Sequence, residues 1–195
     1  MVQLLYTKRF GSDLVIENIR KFKIKDWKNV KSIYTNSFPK EERFPFLLLY
    51  FNTLRNNSNL YVMEINNQII GFIDTINYKN MIFILYLAVD KKMRNLGYGS
   101  KLLKQFLNEN TNKNIYLNID EVDTKFSDYK LRKQRLNFYL NNNFYLTNYL
   151  SVEKDGNFNI MIASNNNFEV DNYIELDKKI SKWYFTKKSK IEEKY

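Results

Sequence analysis

Val89, Arg94, Gly97 and Gly99 are spaced as V-x-x-x-x-R-x-x-G-x-G within "LAVDKKMRNLGYGSKLLKQFL", Leu87 to Leu107. The 195-residue chain holds only five glycines, and two of them stand two residues apart here. An apolar run precedes the joint and a segment of helical spacing follows it. The first amides of a helix lack intrahelical acceptors and carry partial positive charge, so a helix start favours anions. Glycines at that point let the backbone approach a phosphate closely and take positive φ where needed. Arg94, Lys91 and Lys92 add positive charge beside it. The chemistry this pattern suits is the holding of a phosphate. It is not the dinucleotide fingerprint, which needs a third glycine where Leu102 stands.

Cysteine and histidine are both absent. That excludes a disulfide framework, a Cys/His zinc site, a Ser-His-Asp triad and a cysteine nucleophile. Proton transfer must therefore use Asp, Glu, Tyr, Lys, backbone groups or water.

The elements that must position the joint follow from the sequence pattern. Leu14 to Lys23 reads as a first strand. Trp27, Val30, Ile33, Tyr34 and Phe38 recur at helical spacing, with Asp26 as the expected N-cap and Pro39 as the stop. "FPFLLLYFNTLRN" predicts a second helix with Pro45 in its first turn. "NLYVMEI" and "QIIGFIDTINY" flank an asparagine-rich turn suited to a hairpin. "MIFILYLAV" is apolar throughout, as a central strand covered on both faces should be. A helix from Gly99 to Asn108 carries Leu102, Leu103, Phe106 and Leu107 on one stripe. "NIYLNID" predicts a strand and "DYKLRKQRLNFYLNNNF" a helix with an asparagine-rich stop. "FYLTNYLSVEKDGNFNIMIAS" predicts a hairpin about "KDGN". Asn165 to Tyr195 reads as a terminal helix and a lysine-rich tail.

The net charge is +10, from 31 basic and 21 acidic residues. Abundant Asn, Lys, Ile and Tyr with little Ala or Pro is the bias an AT-rich genome imposes on any protein. The charge is therefore read mainly as drift and solubility. The longest apolar runs, Met81–Val89 and Phe44–Phe51, are too short to span a bilayer. "MVQLLYTKRFGSD" lacks the apolar core of a signal peptide. A cytoplasmic protein is expected.

"RLNFYLNNNF", Arg135 to Phe144, supplies a second motif. With the glycine joint before it and a strand between, it resembles the GNAT superfamily of N-acetyltransferases. There the first motif is the acetyl-CoA pyrophosphate loop and the second reads R-x-x-F-Y-x-x-x-G-F. Asn143 replaces the usual glycine, and Asn is the residue that best tolerates a left-handed helix end. "NSFPKEERFPF", Asn36 to Phe46, is similar to a turn of a bacterial subgroup with an FPxEERxP pattern.

The resemblance implies an α+β, GNAT-like fold with a central mixed, twisted sheet of about six or seven strands and helices on both faces. It implies a GNAT domain over residues 1–164, with residues 165–195 as a C-terminal helix and basic tail on the same domain. The implied activity is direct acetyl transfer from acetyl-CoA, as co-substrate, to a primary amine. Cofactor contacts fall on Leu87, Ala88, Val89, Arg94, Asn95, Leu96, Gly97, Tyr98, Gly99, Ser100, Asn118 and Tyr139. A backbone N–H near Leu87 would polarise the thioester carbonyl. Tyr139 matches the tyrosine often placed near the cofactor sulfur, where a phenol can protonate the departing thiolate. Asp120 and Glu121 are the candidate bases, with Glu41 and Glu42 behind them. Phe83 stands where some relatives keep a catalytic glutamate.

No metal is expected. The expected partners are acetyl-CoA and an amine, with no membrane or nucleic acid, in a monomer or homodimer. Two other classes compete. One is a non-catalytic acyl-CoA-binding module of the same fold. The other is a nucleic-acid binder using "KKISKWYFTKKSK", with Trp183, Tyr184 and Phe185 as stacking groups.

Overall fold

The computed structural model describes residues 6–10, 13–154, 156–163, 168–184, 186 and 188–194, with side chains from Asn18 onward. The elements in chain order are β1 (Tyr6–Phe10), β2 (Asp13–Lys21), α1 (Trp27–Ser37), α2 (Phe46–Leu54), β3 (Ser58–Ile65), β4 (Gln68–Tyr78) and β5 (Met81–Val89). Then come α3 (Tyr98–Asn108), β6 (Asn114–Asp120), α4 (Tyr129–Leu140), β7 (Tyr145–Glu153), β8 (Gly156–Ala163), α5 (Val170–Tyr184) and β9 (Lys190–Glu193).

The class is α+β, as expected, but the described residues form a sheet of nine strands in the order β1-β2-β3-β4-β5-β6-β8-β7-β9. The strands beyond the six or seven expected include both edges, β1 and β9. β9 pairs antiparallel with β7, Val152 opposite Lys190. It was hidden because Lys and Glu read as a solvated tail, yet charged residues are what a protected edge strand carries. β5 and β6 are parallel, from Met81↔Asn114 to Phe83↔Tyr116.

The chain divides into two compact units, residues 1–75 with 85–106, and residues 76–84 with 107–195. In the first, Val30, Ile33 and Tyr34 of α1 are buried at the expected spacing, as are Leu102, Leu103 and Phe106 of α3. Asp26 stands at the N-cap position of α1, as expected, but its side chain makes no cap bond there. Its carboxylate is buried and accepts from Arg20 Nη1 at 2.6 Å, Arg20 Nη2 at 2.9 Å and the Lys23 amide at 2.7 Å. Arg20 Nε also donates to Glu64 Oε2 at 2.8 Å, so one guanidinium ties together β2, β3 and the start of α1. Asn66 and Asn67 both take positive φ, 47° and 66°, which suits the tight hairpin turn between β3 and β4.

In the second unit, Ile115, Tyr116, Leu117, Ile119, Ile160, Met161 and Ile162 build the core with Tyr173, Leu176 and Tyr184 of α5. β6 pairs antiparallel with β8, and β8 with β7. Asn143 takes φ 64° after α4, the left-handed stop expected of it, and Phe144 beyond it is fully buried. Asp155 of the "KDGN" turn lies outside the described residues.

Candidate active site

The glycine joint belongs to the first unit and is built from the end of β5. The Asp90 amide donates to Ile70 O at 2.7 Å, and its carboxylate accepts the Lys92 amide at 2.9 Å. That caps a single 3-10 turn, Lys91–Met93. Arg94 follows, exposed, with Nε donating to Val89 O at 3.0 Å and Nη2 to Ser37 Oγ at 2.8 Å. From the sequence Arg94 is only a positive charge beside the joint. It is instead fastened to the strand it follows and to the last residue of α1. The remaining N–H groups of its guanidinium are still available to an anion.

Asn95 and Gly97 take φ of 62° and 83°. The carbonyl of Gly97 accepts the Lys101 amide at 3.0 Å, closing the first turn of α3. A Cβ built on Gly97 would meet nothing within 4 Å, so conformation and not crowding requires glycine there. Gly99 lies inside α3, outside the positive-φ residues, so the need for positive φ falls on the first glycine alone. Asn95, Leu96 and Gly97 are exposed, and Tyr98, Gly99 and Ser100 are half-buried. The start of α3 is thus accessible, and helix-start amides opened by Gly97 beside Arg94 are a donor set that fits a pyrophosphate.

Leu87 and Val89 are half-buried and Ala88 is buried. Gly71 of β4, which the sequence reading passed over, sits against this strand: a Cβ there would lie 2.9 Å from Ala88 O. An isolated glycine in an apolar strand was the available signal. Tyr86 was also missed, because a tyrosine in an apolar run reads as packing. Its hydroxyl donates to Glu42 O at 2.8 Å and accepts the Phe44 amide at 3.2 Å. Tyr34 donates to Phe44 O at 3.0 Å. Two phenols therefore pin the turn that carries Glu41 and Glu42, whose positions are both exposed. Asp74 of β4 is fully buried, and among the described residues neither carboxylate oxygen has a hydrogen-bond partner. Burial pushes its pKa well above the usual carboxylate range.

The second unit holds the remaining candidates. Asn118 is taken up by α5, its Oδ1 accepting from Tyr173 at 2.9 Å. Asp120 is joined to Arg135 of α4 at 2.5 Å, an ion pair that commits the expected base to a cation. Glu121 donates its amide to Asn157 O and accepts from Arg132 Nη1, both at 3.0 Å, with its carboxylate 3.7 Å from Lys125 Nζ. Tyr139 stands one helical turn beyond Arg135, half-buried, with ring centroids 5.1 Å from Phe138 and 5.6 Å from Phe144. Desolvation pushes its pKa up to about 12, with the Arg135 charge opposing, so the phenol keeps its proton at neutral pH. Phe83 is buried, and no side-chain base stands at its position.

Of the aromatics proposed to stack on nucleic acid, Tyr184 is buried in the core and Phe185 lies outside the described residues. Among the described residues no group of three or more Asp or Glu is placed to hold a metal ion, and no helix is long and apolar enough to cross a membrane.

Residues 56–146, from the end of α2 to the start of β7, match the family model described as the acetyltransferase (GNAT) domain. The match bears out the resemblance to the GNAT superfamily over that segment of the chain. Among solved structures, a GNAT-family protein of Bacteroides thetaiotaomicron is 23% identical, covering 87% of this chain and 99% of its own, with a TM-score of 0.70. Naa50 of Arabidopsis thaliana, solved with the bisubstrate analogue CoA-Ac-MVNAL, is 17% identical over 78% of this chain and 99% of its own, with a TM-score of 0.58. The ribosomal-protein-S18-alanine N-acetyltransferase of Escherichia coli is 17% identical over the same shares, with a TM-score of 0.55. At these identities the likeness is one of fold. No curated protein matches the chain in sequence.

Proposed function

We propose that the chain is an acetyl-CoA-dependent N-acetyltransferase that passes acetyl directly to a primary amine. The observation that carries this reading is the joint itself. Left-handed Asn95 and Gly97 open α3 beside the end of β5, inside the segment matched to the GNAT domain. The amides of Gly97 to Ser100, with Arg94, Asn95 and Leu96, would hold the pyrophosphate. The backbone of Leu87 to Val89 would align the pantetheine arm, and Asn118 and Tyr139 would complete the contacts. Asn118 could do so only through groups that its bond to Tyr173 leaves over.

Acetyl-CoA, when bound, supplies an activated thioester. The chain's own part is to hold it, to polarise its carbonyl with an N–H near Leu87 and to manage two protons. Tyr139 donates one to the leaving sulfur. The proton from the amine goes to Glu121 or to water, because Asp120 is occupied by Arg135. Without cysteine no acyl-enzyme can form on sulfur, and attack within a ternary complex remains.

The test is thiol release from acetyl-CoA across amino acids, polyamines, aminoglycosides and peptides. Release that depends on an amine supports the enzyme. CoA binding without release on any amine supports the second reading, a non-catalytic acyl-CoA module, which the commitment of Asp120 favours. Absence of CoA binding overturns both.

A further inference from the structure

The exposed positions of α2 are Leu47, Phe51 and Leu54, and no others. They are spaced i, i+4, i+7, and 53%, 46% and 59% exposed, so they form one apolar stripe along the helix. A surface helix of a soluble domain places polar residues on that face. Leu49 and Asn52 are buried on the opposite face, and the flank next to the stripe is used by Phe46 and Tyr50, which pack edge-on against Trp27 with ring centroids at 4.7 and 5.5 Å. Tyr50 also meets Phe22 at 6.2 Å, so the segment from Phe22 to Trp27 lies against α2. That segment presents Ile24, 63% exposed, between exposed Lys23 and Lys25, with exposed Lys21 and Lys28 on either side.

The charge beside the stripe is one-sided. Arg55 closes α2 and is exposed. The nearest acids on the Phe22–Trp27 side, Asp26 and Glu64, are both spent on Arg20. Glu41 and Glu42 precede α2 beside Lys40 and Arg43, which balance them.

We infer that the α2 stripe, with Ile24 and its lysines, is a docking surface for an anionic lipid bilayer, on which the protein lies peripherally. Three observations select this occupant. A second copy of the chain would bring one lysine rim against another in a protein of charge +10. A specific protein partner fixes register through roughly one hydrogen bond per 100–200 Å² of interface, and the exposed side chains of α2 offer no hydrogen-bonding group. Apolar side chains flanked by lysines are what an anionic interface takes up, without a shaped groove. The expectation of no membrane partner came from run length, which bears on spanning and not on lying at a surface.

The experiment is co-sedimentation of the full chain with vesicles of phosphatidylcholine alone, and of phosphatidylcholine and phosphatidylglycerol in equal parts. Binding to the mixed vesicles only, weakened by salt, is expected. The double variant Phe51→Asp, Leu54→Asp should lower the partition coefficient about tenfold or more, and so should Lys23→Glu with Lys25→Glu. The substituted side chains are exposed, and an unchanged melting temperature checks that each variant is folded. Failure to bind mixed vesicles overturns the inference. So does equal binding by the Phe51→Asp, Leu54→Asp variant, which would make the contact one of charge alone. Capture of a soluble acidic amphipathic peptide without vesicle binding would assign the stripe to a protein instead. The inference does not depend on catalysis, so these outcomes are independent of the acetyl-transfer assay.

Discussion

Arg94 donates from Nη2 to Ser37 Oγ at 2.8 Å and from Nε to Val89 O at 3.0 Å, which fastens the loop before α3 to the ends of α1 and β5. If this fork sets the loop's position, charge alone cannot replace it, because lysine has no second donor arm in fixed geometry. Arg94→Lys should then lose CoA affinity nearly as fully as Arg94→Ala. Ser37→Ala removes one neutral hydrogen bond and should weaken CoA about 2- to 10-fold. Titration calorimetry with CoA reads both. A lysine variant that binds like wild type would reduce Arg94 to a point charge.

The two glycines of the joint should fail differently. Gly97 has φ of 83° in open space, so Gly97→Val forces a β-branched residue into the left-handed region. The strain should cost about 1–2 kcal/mol of stability, and the melting-temperature rise on adding CoA should vanish. Gly99 is helical, so Gly99→Ala should leave the apo protein as stable or stabilise it by about 0.5–1 kcal/mol. CoA affinity should still fall if a phosphate approaches that backbone closely. Equal CoA-induced shifts in Gly97→Val and wild type would detach the loop from phosphate binding.

The sequence made the joint legible because glycine is scarce here and helix starts have simple electrostatics. β6 and the helix stop at Asn143 were legible for similar reasons: strong periodicity and a residue suited to positive φ. Partnerships between distant residues were not. Nothing local marks Arg20 as the partner of both Asp26 and Glu64, or Arg135 as the group that occupies Asp120. Tyr86 and Gly71 were hidden inside apolar runs, where a hydroxyl's acceptor or a strand's close approach leaves no trace in spacing. β9 was lost because an edge strand and a solvated tail share a composition.

Two buried aspartates should make opposite contributions to stability against pH. Burial pushes the Asp26 carboxyl up, but the bonds from Arg20 and the Lys23 amide outweigh it, and its pKa lies below the usual value. Its contribution is therefore complete above the unfolded pKa and is lost as pH falls through the folded one. Asp26→Asn should cost about 3 kcal/mol at neutral pH, since it leaves Arg20 underpaired, and less in acid. Asp74 has its pKa raised, so its native form is fully favoured below the unfolded pKa and loses stability as pH rises towards the folded one. Asp74→Asn should gain on wild type as pH rises from about 4 to 8, starting near the unfolded carboxylate value. Melting temperatures across that range check both signs. A difference between Asp74→Asn and wild type that stays flat with pH would mean that the carboxyl finds a partner.

Tyr139 separates packing from chemistry. Its ring meets Phe138 and Phe144, and Tyr139→Phe keeps those contacts while removing the hydroxyl. Burial holds the phenol's pKa at about 12, so it stays a proton donor over the working pH range and should add no basic limb there to the rate profile. If it protonates the leaving sulfur, kcat should fall by about 10²–10⁴-fold, or less because a thiolate leaves well unaided. CoA affinity should change little, since the pyrophosphate grip is assigned to Arg94–Ser100. The melting temperature should also hold, because no hydrogen bond of this hydroxyl is lost among the described residues. The measurement is kcat for any amine the wild type acetylates, beside the melting temperature and the CoA titration. A fall in kcat at constant stability and constant CoA affinity assigns the hydroxyl to proton transfer. An unchanged kcat leaves Tyr139 as packing between α4 and Phe144, and gives the leaving thiolate to water.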